Sequence, residues 1–565
     1  RRRARSAVEP PSAARTTPAG DTLGLRGTPM GEGGSAGTTR TPPASGSSTP
    51  GTSALPAPTG MLSSNGGSFD FGGLEVAVGS SSFTWRISNV GDVPTGALAL
   101  LPDVSEAFRA QSGCPVSLPA GGSCSIEVSF APTAGGNVAG SIQFGQVNQV
   151  VSLALTGSGR YRLDVQRGGR GEVTASGLTC TATLCTGLFD PGRLTLSART
   201  QNGSGSFFTG WSAPECTVND DCGLDLDRSR SITATFQELT SNLIFVTSST
   251  YPTNVGGLAA LDAECNRLAS AAGINSAAGN DFIAAVSDNS TSLRQRLAGA
   301  RGWVRRDGLP FGDSIAALFD QFQVLYSPWL TEHGALNSNP LMTGTDQAGA
   351  STPENCNNWT SLDASVLWRS GRPEGGPRSA ISWGNLPCGM ERASVYCMGT
   401  SHSSPVALTP ASGKRIWLTT DSYTPGSMTP DEFCQSTRPA GVARGVAFVA
   451  YTTRPAAAVL DPEALYVRVD GALVGTGAEI AATKILAGPW LSEDGTVEGV
   501  SGGVWGGAPT PQDLADPAYN CNDWQSASNS ANGDTGEIDV SSGLFFYEFA
   551  YSFCSDPREV RCVEP

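Results

Sequence analysis

The chain has 565 residues, 39% of them apolar, which is enough for packed cores and, at the usual domain size, for about four domains. A net charge of −15 argues against nucleic acid as a partner, because a phosphate-binding surface needs an excess of Lys and Arg. No apolar run approaches the ~20 residues that span a bilayer, and with His333 and His402 as the only histidines, neither a metal nor a cofactor is expected.

Residues 1 to 65 are Gly, Pro, Ser, Thr and Ala with almost no bulky apolar side chains. Such a composition cannot bury enough surface to offset the entropy of ordering, so a flexible stalk is expected. The chain opens on Arg1-Arg2-Arg3 without an initiator Met, and an export segment, trimmed or lying upstream, is expected.

Residues 66 to 159 change to short alternating strands. Cys124, Ile126, Val128 and Phe130 fall on one face and Ser125, Glu127 and Ser129 on the other, as a half-buried antiparallel strand requires, and Ala131-Pro132 ends it. The words Phe83-Thr84-Trp85-Arg86-Ile87-Ser88-Asn89-Val90-Gly91, Leu118-Pro119-Ala120-Gly121-Gly122-Ser123-Cys124 and Leu155-Thr156-Gly157-Ser158-Gly159 resemble the immunoglobulin-like sandwich of bacterial choice-of-anchor D proteins and cilia-associated Hydin-type domains. That resemblance implies a spacer or docking module without chemistry. Cys114 and Cys124 flank a short turn, which suits a hairpin staple.

Residues 160 to 239, with Tyr161 to Val165, Gly168 to Gly171, Phe208-Thr209-Gly210-Trp211 and Ile232 to Phe236, resemble the divergent repeat of the internalin B type, a small β-grasp-like module of secreted bacterial proteins. The glycines of 168 to 171 read as a strand turn, since no Lys-Ser/Thr follows to make a phosphate loop. The acidic string Asn219 to Asp227 has two readings, a calcium site or a solvated loop, and the solvated loop is favoured because its spacing is not that of an EF-hand. Cys180 is expected to pair with Cys185, and Cys216 with Cys222.

One cysteine grammar is then written twice. Cys265, Cys356, Cys388 and Cys397 are spaced 91, 32 and 9 apart; Cys434, Cys521, Cys554 and Cys562 are spaced 87, 33 and 8 apart. Pro328-Trp329-Leu330-Thr331-Glu332 answers Pro489-Trp490-Leu491-Ser492-Glu493, and Asn355-Cys356-Asn357-Asn358-Trp359 answers Asn520-Cys521-Asn522-Asp523-Trp524. A tandem duplication follows: one head over residues 240 to 400, a linker over 401 to 412, and a second head over 413 to 565. The fourteen cysteines fall as 2, 4, 4 and 4 along the four segments, an even number in each, which argues for disulfides and an oxidising compartment. Leu258, Leu261, Cys265 and Leu268 share one helical face, and Gly273 is placed to end that helix.

The opening strand with Thr247 and Tyr251, the Gly256-Gly257-Leu258-Ala259 step into Cys265 and the Asn-Cys-Asn-x-Trp word together resemble a bacterial family of unknown function related to C-type lectins and to the endostatin domain of collagen. The resemblance implies an α+β lectin-like fold for both heads, with Cys265 paired to Cys397, Cys356 to Cys388, Cys434 to Cys562 and Cys521 to Cys554. The calcium triad of sugar-binding C-type lectins is missing: Trp383-Gly384-Asn385 precedes Cys388, and Phe549-Ala550-Tyr551 stands where the second head should have its tryptophan.

The candidate ligand-binding residues are Asn357, Asn358 and Trp359 with Asn522, Asp523 and Trp524, because amides and an aromatic face can recognise a sugar. A tryptophan packed beside a disulfide, with Asn capping the loop, is the competing and more ordinary arrangement. The loops that follow differ between the heads. Arg369, Arg372 and Arg378 are expected to give the first head an anion-preferring surface, while Asp534, Glu537 and Asp539 make the second repel the same ligands.

No enzymatic activity is expected. Gly499-Val500-Ser501-Gly502-Gly503 matches a nucleophile elbow, but so does Gly33-Gly34-Ser35-Ala36-Gly37, and both histidines precede Ser501, where the hydrolase order needs one after it. Glu332 and Glu493 recur, most simply as turn caps. The reading is a secreted or cell-surface bacterial adhesin that binds a glycan or an extracellular protein. A structural surface or appendage component is the alternative, and behind it an extracellular hydrolase.

Overall fold

The computed structural model describes residues 60–103, 106–216, 218–497, 503–548 and 550–565. Most of the stalk assigned to residues 1 to 65, and all but Gly503 of the elbow match at 499 to 503, lie outside the described residues. Strand structure begins at Leu62–Ser64, inside the span read as stalk.

The chain is mostly β. Leu62–Ser64, Ser81–Asn89, Ser123–Phe130 and Phe108–Ser112 form an antiparallel four-stranded sheet. Its inward residues Trp85, Ile87, Ile126, Val128 and Phe130 share one core with Ile142, Phe144, Leu153 and Leu155 of the facing strands Gly136–Gln146 and Gln149–Gly168. The expected alternation is present: Ile126, Val128 and Phe130 are buried and Glu127 is exposed.

The strand Gln149–Gly168 runs through the boundary assigned between 159 and 160. Its first half pairs with Gly136–Gln146 and Ser68–Glu75, and its second half with Leu184–Phe189 and Arg230–Glu238. At the crossing, a Cβ on Gly159 would collide with the Ala134 carbonyl, so only glycine fits.

Beyond it, Asp221–Leu226, Gly192–Arg199 and Glu172–Thr174 form a second, three-stranded sheet over a core of Leu163, Leu196, Trp211, Leu224 and Phe236. The acidic string is therefore largely a strand, Asp221–Leu226, and not a loop, although Asp221, Asp225 and Asp227 are solvated as expected. Asp221 pairs with Arg199, Asp225 with Arg193 and Asp227 with Arg228. Asp220 is buried, 3.3 Å from Arg306 and 2.8 Å from His333 Nδ1, and its hydrogen bond holds the His333 imidazole above its ordinary pKa. Among the described residues no cluster of His, Cys, Asp and Glu is arranged to hold a metal ion.

The two duplicated segments share a topology. In the first, Asn242–Val246 pairs antiparallel with Tyr396–Gly399 and parallel with Trp303–Val304. In the second, Lys414–Leu418 pairs antiparallel with Glu559–Val563 and parallel with Leu465–Val467. Each first strand thus lies against its segment's last.

The helix Leu258–Ala271 buries Leu261, Cys265, Leu268 and Ala269, and Gly273 follows it in the left-handed region at φ 70°. Its counterpart Pro430–Ser436 is half as long, opened by a Thr429/Glu432 capping box with Pro at its start. Seven disulfides close the described chain: Cys114–Cys124, Cys180–Cys185, Cys216–Cys222, Cys265–Cys397, Cys356–Cys388, Cys434–Cys562 and Cys521–Cys554. Among the described residues no helix is long and apolar enough to cross a membrane.

Candidate binding site

The repeated Asn-Cys-Asn-x-Trp word folds as one turn of left-handed helix. Cys356, Asn357, Asn358 and Trp359 have φ of 51°, 54°, 59° and 63°, and Cys521 to Trp524 repeat this with 54°, 54°, 52° and 65°. For residues with a Cβ this conformation costs roughly 1–2 kcal/mol each, so the surroundings must impose it. Asn355 accepts the Asn358 N–H at 2.9 Å, Cys356 is tied to Cys388, and Trp359 Nε1 donates to the Ser287 carbonyl at 2.9 Å. The second copy repeats each device: Asn520 accepts the Asp523 N–H at 3.1 Å, and Trp524 Nε1 donates to the Ala450 carbonyl at 3.0 Å.

This geometry corrects part of the candidate set. Trp359 and Trp524 are 0% and 1% exposed, so neither ring can meet a ligand. Asn358 accepts the Asn289 N–H, and Asp523 accepts the Thr452 N–H and hydroxyl, so both hold neighbouring loops. Asn357 and Asn522 stay exposed. Asp523 also borders an open depression of about 410 Å³ with Tyr451 and Glu432. The recurring glutamates are caps: Glu332 accepts the Ser248 N–H at 2.9 Å, and Glu493 the Thr420 N–H at 2.9 Å.

The loops expected to read opposite ligands instead meet each other. Arg372 pairs with Glu537 and its guanidinium lies over the Trp383 ring at 4.1 Å. Asp539 Oδ2 accepts the N–H of Arg378 at 3.0 Å and of Ser379 at 2.7 Å. Gly376 N–H donates to the Asp539 carbonyl at 2.9 Å, and Ser541 N–H to the Glu374 carbonyl at 2.8 Å. Ser327 Oγ donates to the Glu374 and Gly375 carbonyls and meets Ser541 Oγ at 2.8 Å. Asp534 and Asp539 are 7% and 4% exposed, so they repel nothing from a surface. Arg369 is half-buried on the strand Leu367–Gly371. An anion-preferring face on the first head is thereby replaced by a seam between the two heads.

Along this seam lies a polar cleft of about 300 Å³. The first head contributes Gln347, Arg378, Ser382 and Trp383, and the second contributes Glu537, Asp539 and Glu548. Trp383 is 50% exposed. Burial pushes the Asp539 carboxyl up to about 7 and raises Glu548. Asp539 Oδ1 has no hydrogen-bond partner. Of the charged residues singled out in the sequence, Arg378, Glu537 and Asp539 line the cleft, and Arg372 stacks on Trp383 beside it. Gln347, Ser382 and Glu548 carry no local pattern in the sequence that marks them, because the cleft is assembled from segments far apart in the chain.

No family's sequence model matches the chain, and no curated protein matches it. Among solved structures, the PapD-like domain 7 of human CEP192 is similar at 20% identity and a TM-score of 0.15, over 21% of this chain and 97% of that one. The class 5 fimbriae chaperone CfaA is similar at 9% identity and a TM-score of 0.14, over 32% of this chain and 92% of that one. The secreted serine protease VesC of Vibrio cholerae is similar at 11% identity and a TM-score of 0.15, over 30% of this chain and 42% of that one. Similarity this low assigns the chain to no family.

Proposed function

We propose that the chain is a secreted or cell-surface binding protein, with an immunoglobulin-like spacer and a small β-repeat carrying two lectin-like heads that act as one fused pair on a glycan or extracellular protein. Seven disulfides support an oxidising compartment. The shared strand order, the helix tied to the last strand and the inner disulfide of each head support the lectin-like reading.

The observation that carries the function is the seam cleft. It is concave, built by both copies, and combines an exposed half of a tryptophan with convergent amide, hydroxyl and carboxylate groups, the furnishing of a small polar-ligand site. Screening the full chain on a glycan and matrix-protein array tests this. Binding that is lost in Trp383→Ala at unchanged melting temperature is the expected result. Absence of any ligand, with self-assembly of the purified protein, would favour the structural-component reading instead.

A further inference from the structure

The second head carries an acidic, aromatic notch that the first head lacks. Strand Ala550–Phe553 is the outer edge of its sheet and pairs with Asn532–Gly536, which sets Tyr551 opposite Asp534 and Phe553 opposite Asn532. Directly opposed residues leave a sheet on the same face, so the Asp534 carboxyl stands beside Tyr551. The turn Pro517–Tyr519 brings a second ring alongside, with the Tyr519 and Tyr551 centroids 5.8 Å apart and their planes inclined at 49°. Tyr551, Phe553 and Tyr519 are 59%, 51% and 37% exposed, a cluster of rings left in water that ordinarily marks a contact surface.

Asp534 lies at the base of this notch. It is 7% exposed, yet its carboxyl accepts no hydrogen bond and meets no cation among the described residues. Nor is it sealed: unlike Asp539 Oδ1, neither of its oxygens is closed off from solvent. The one charge that reaches it is Asp516, of the same sign, and burial together with that repulsion pushes its titration up to about 6. Burial, then Asp534 and Tyr519, raise the Tyr547 hydroxyl, which places that group in the same corner. Buried carboxyls are ordinarily hydrogen-bonded, so one left short of donors at an opening lined by rings marks a place for a cation from outside. The first head is the internal control. At the same register its strands set Arg369 opposite Asn385 and Leu367 opposite Pro387, and Glu354 stands where the second head has Tyr519. The scaffold therefore forms this sheet without the carboxyl and without the rings.

We propose that this notch binds a lysine side chain of an extracellular partner protein, the ε-ammonium seated against Asp534 and the methylene stem lying along Tyr519 and Tyr551. It is a further site, and none of its residues lines the seam cleft. An ammonium supplies N–H donors to a carboxyl that has none, and a charge-assisted bond is stronger than a neutral one. The face of a tyrosine also attracts a cation, and an apolar stem packs on the same rings. A compact charge on a thin, flexible stem fits an opening between two rings this close. The quaternary ammonium of choline meets the rings as well but brings no N–H to Asp534. A net charge of −15 draws a basic partner from a distance, while the recessed Asp534 meets only the cation that enters. The groups that face Asp534 and titrate are Asp516, Tyr519, Tyr547 and Tyr551, so between about pH 5 and about pH 7.5 its own ionisation decides, and binding tightens as pH rises.

The test titrates the full chain, at physiological salt, into the end-blocked tripeptide Ala-Lys-Ala, its ε-N-acetylated form and choline, following saturation transfer to each ligand by NMR. The lysine peptide is expected to bind about tenfold more tightly than either, with transfer greatest at the lysine methylenes. Asp534→Asn and Tyr551→Ala should each weaken it about tenfold, while Asn385→Ala, at the first head's counterpart of Tyr551, leaves it unchanged. Equal binding of the acetylated peptide, tighter binding of choline, or unchanged affinity in both second-head variants would overturn the assignment. If array screening finds a ligand that needs Trp383 while the lysine peptide does not bind, this site falls and the seam-cleft function stands. If the lysine peptide binds as expected and nothing needs Trp383, the notch stands and the cleft falls.

Discussion

The two heads carry one disulfide frame in different surroundings, and the contrast shows what duplication does to a sequence. Trp329 of the first head is half-buried, whereas its counterpart Trp490 is 0% exposed and sits in a core cluster with Ile244, Tyr396 and Met398 of the first head. The copies pack head against head through equivalent positions: Arg372 and Glu537, like Gly375 and Val540, stand as far apart in the chain as Cys356 and Cys521, and Gly376 N–H and Ser541 N–H donate reciprocally to the Asp539 and Glu374 carbonyls. Arg372 of one meets Glu537 of the other, and Asp539 is enclosed by the loop 374–379. Divergence in the loops after Cys356 and Cys521 is therefore explained in large part by two copies of one scaffold fitting each other, before any external ligand is considered.

The largest effect should come from the frame that the heads share. Replacing Cys265 and Cys397 together with Ala, or Cys434 and Cys562, opens links spanning 132 and 128 residues, and each loss should cost roughly 2–5 kcal/mol. Calorimetry should show either replacement lowering one common transition of both heads. Two separate transitions would mean that the seam does not couple them.

A smaller effect should follow from forcing the seam apart at one atom. Gly376→Ala puts a methyl against Asp539 and Trp490, and overpacking of this kind costs about 1–3 kcal/mol. Gly384→Ala, where a Cβ meets nothing within 4 Å, is the control and should leave the midpoint of chemical unfolding unchanged. Equal behaviour of the two variants would show that residues 374–379 are not clamped by the second head.

The smallest effect is read through pH. The Asp539 carboxyl stands at about 7 in the folded protein against an unfolded value of about 3.9. Below about pH 3 both states are protonated and no ionised carboxylate has to be buried. As pH rises toward 7 the unfolded chain ionises first, so the seam loses stability over that window. Asp539→Asn does not titrate and can still accept the N–H groups of Arg378 and Ser379. It should therefore gain on the parent as pH rises from about 3 to 7 and exceed it above pH 7 by on the order of 1–2 kcal/mol. A parent more stable than the variant at pH 8 would reverse the sign and place a compensating charge beside Asp539.

What could be read in the sequence were features written at short range or repeated. The alternation from Cys124 to Phe130 and the spacing of Leu261, Cys265 and Leu268 reported burial directly, because period alone fixes which side faces a core. The left-handed turns were not legible, since four residues with side chains adopt φ > 0 only when a disulfide, a cap and a buried indole impose it together. The seam was hidden for another reason. Arg372 and Glu537 are 165 positions apart, and charges at that separation look like two solvated surfaces until the fold sets one on the other.

The unbroken strand Gln149–Gly168 has a mechanical meaning. A pull along the chain between these two modules is carried by a ribbon laced on both flanks by backbone hydrogen bonds in each of them. Loaded lengthwise, such a ribbon shares the force among many bonds at once, where a loop linker would let the modules swing like beads. The modules on either side of residue 159 are thus joined through paired backbone on a single strand.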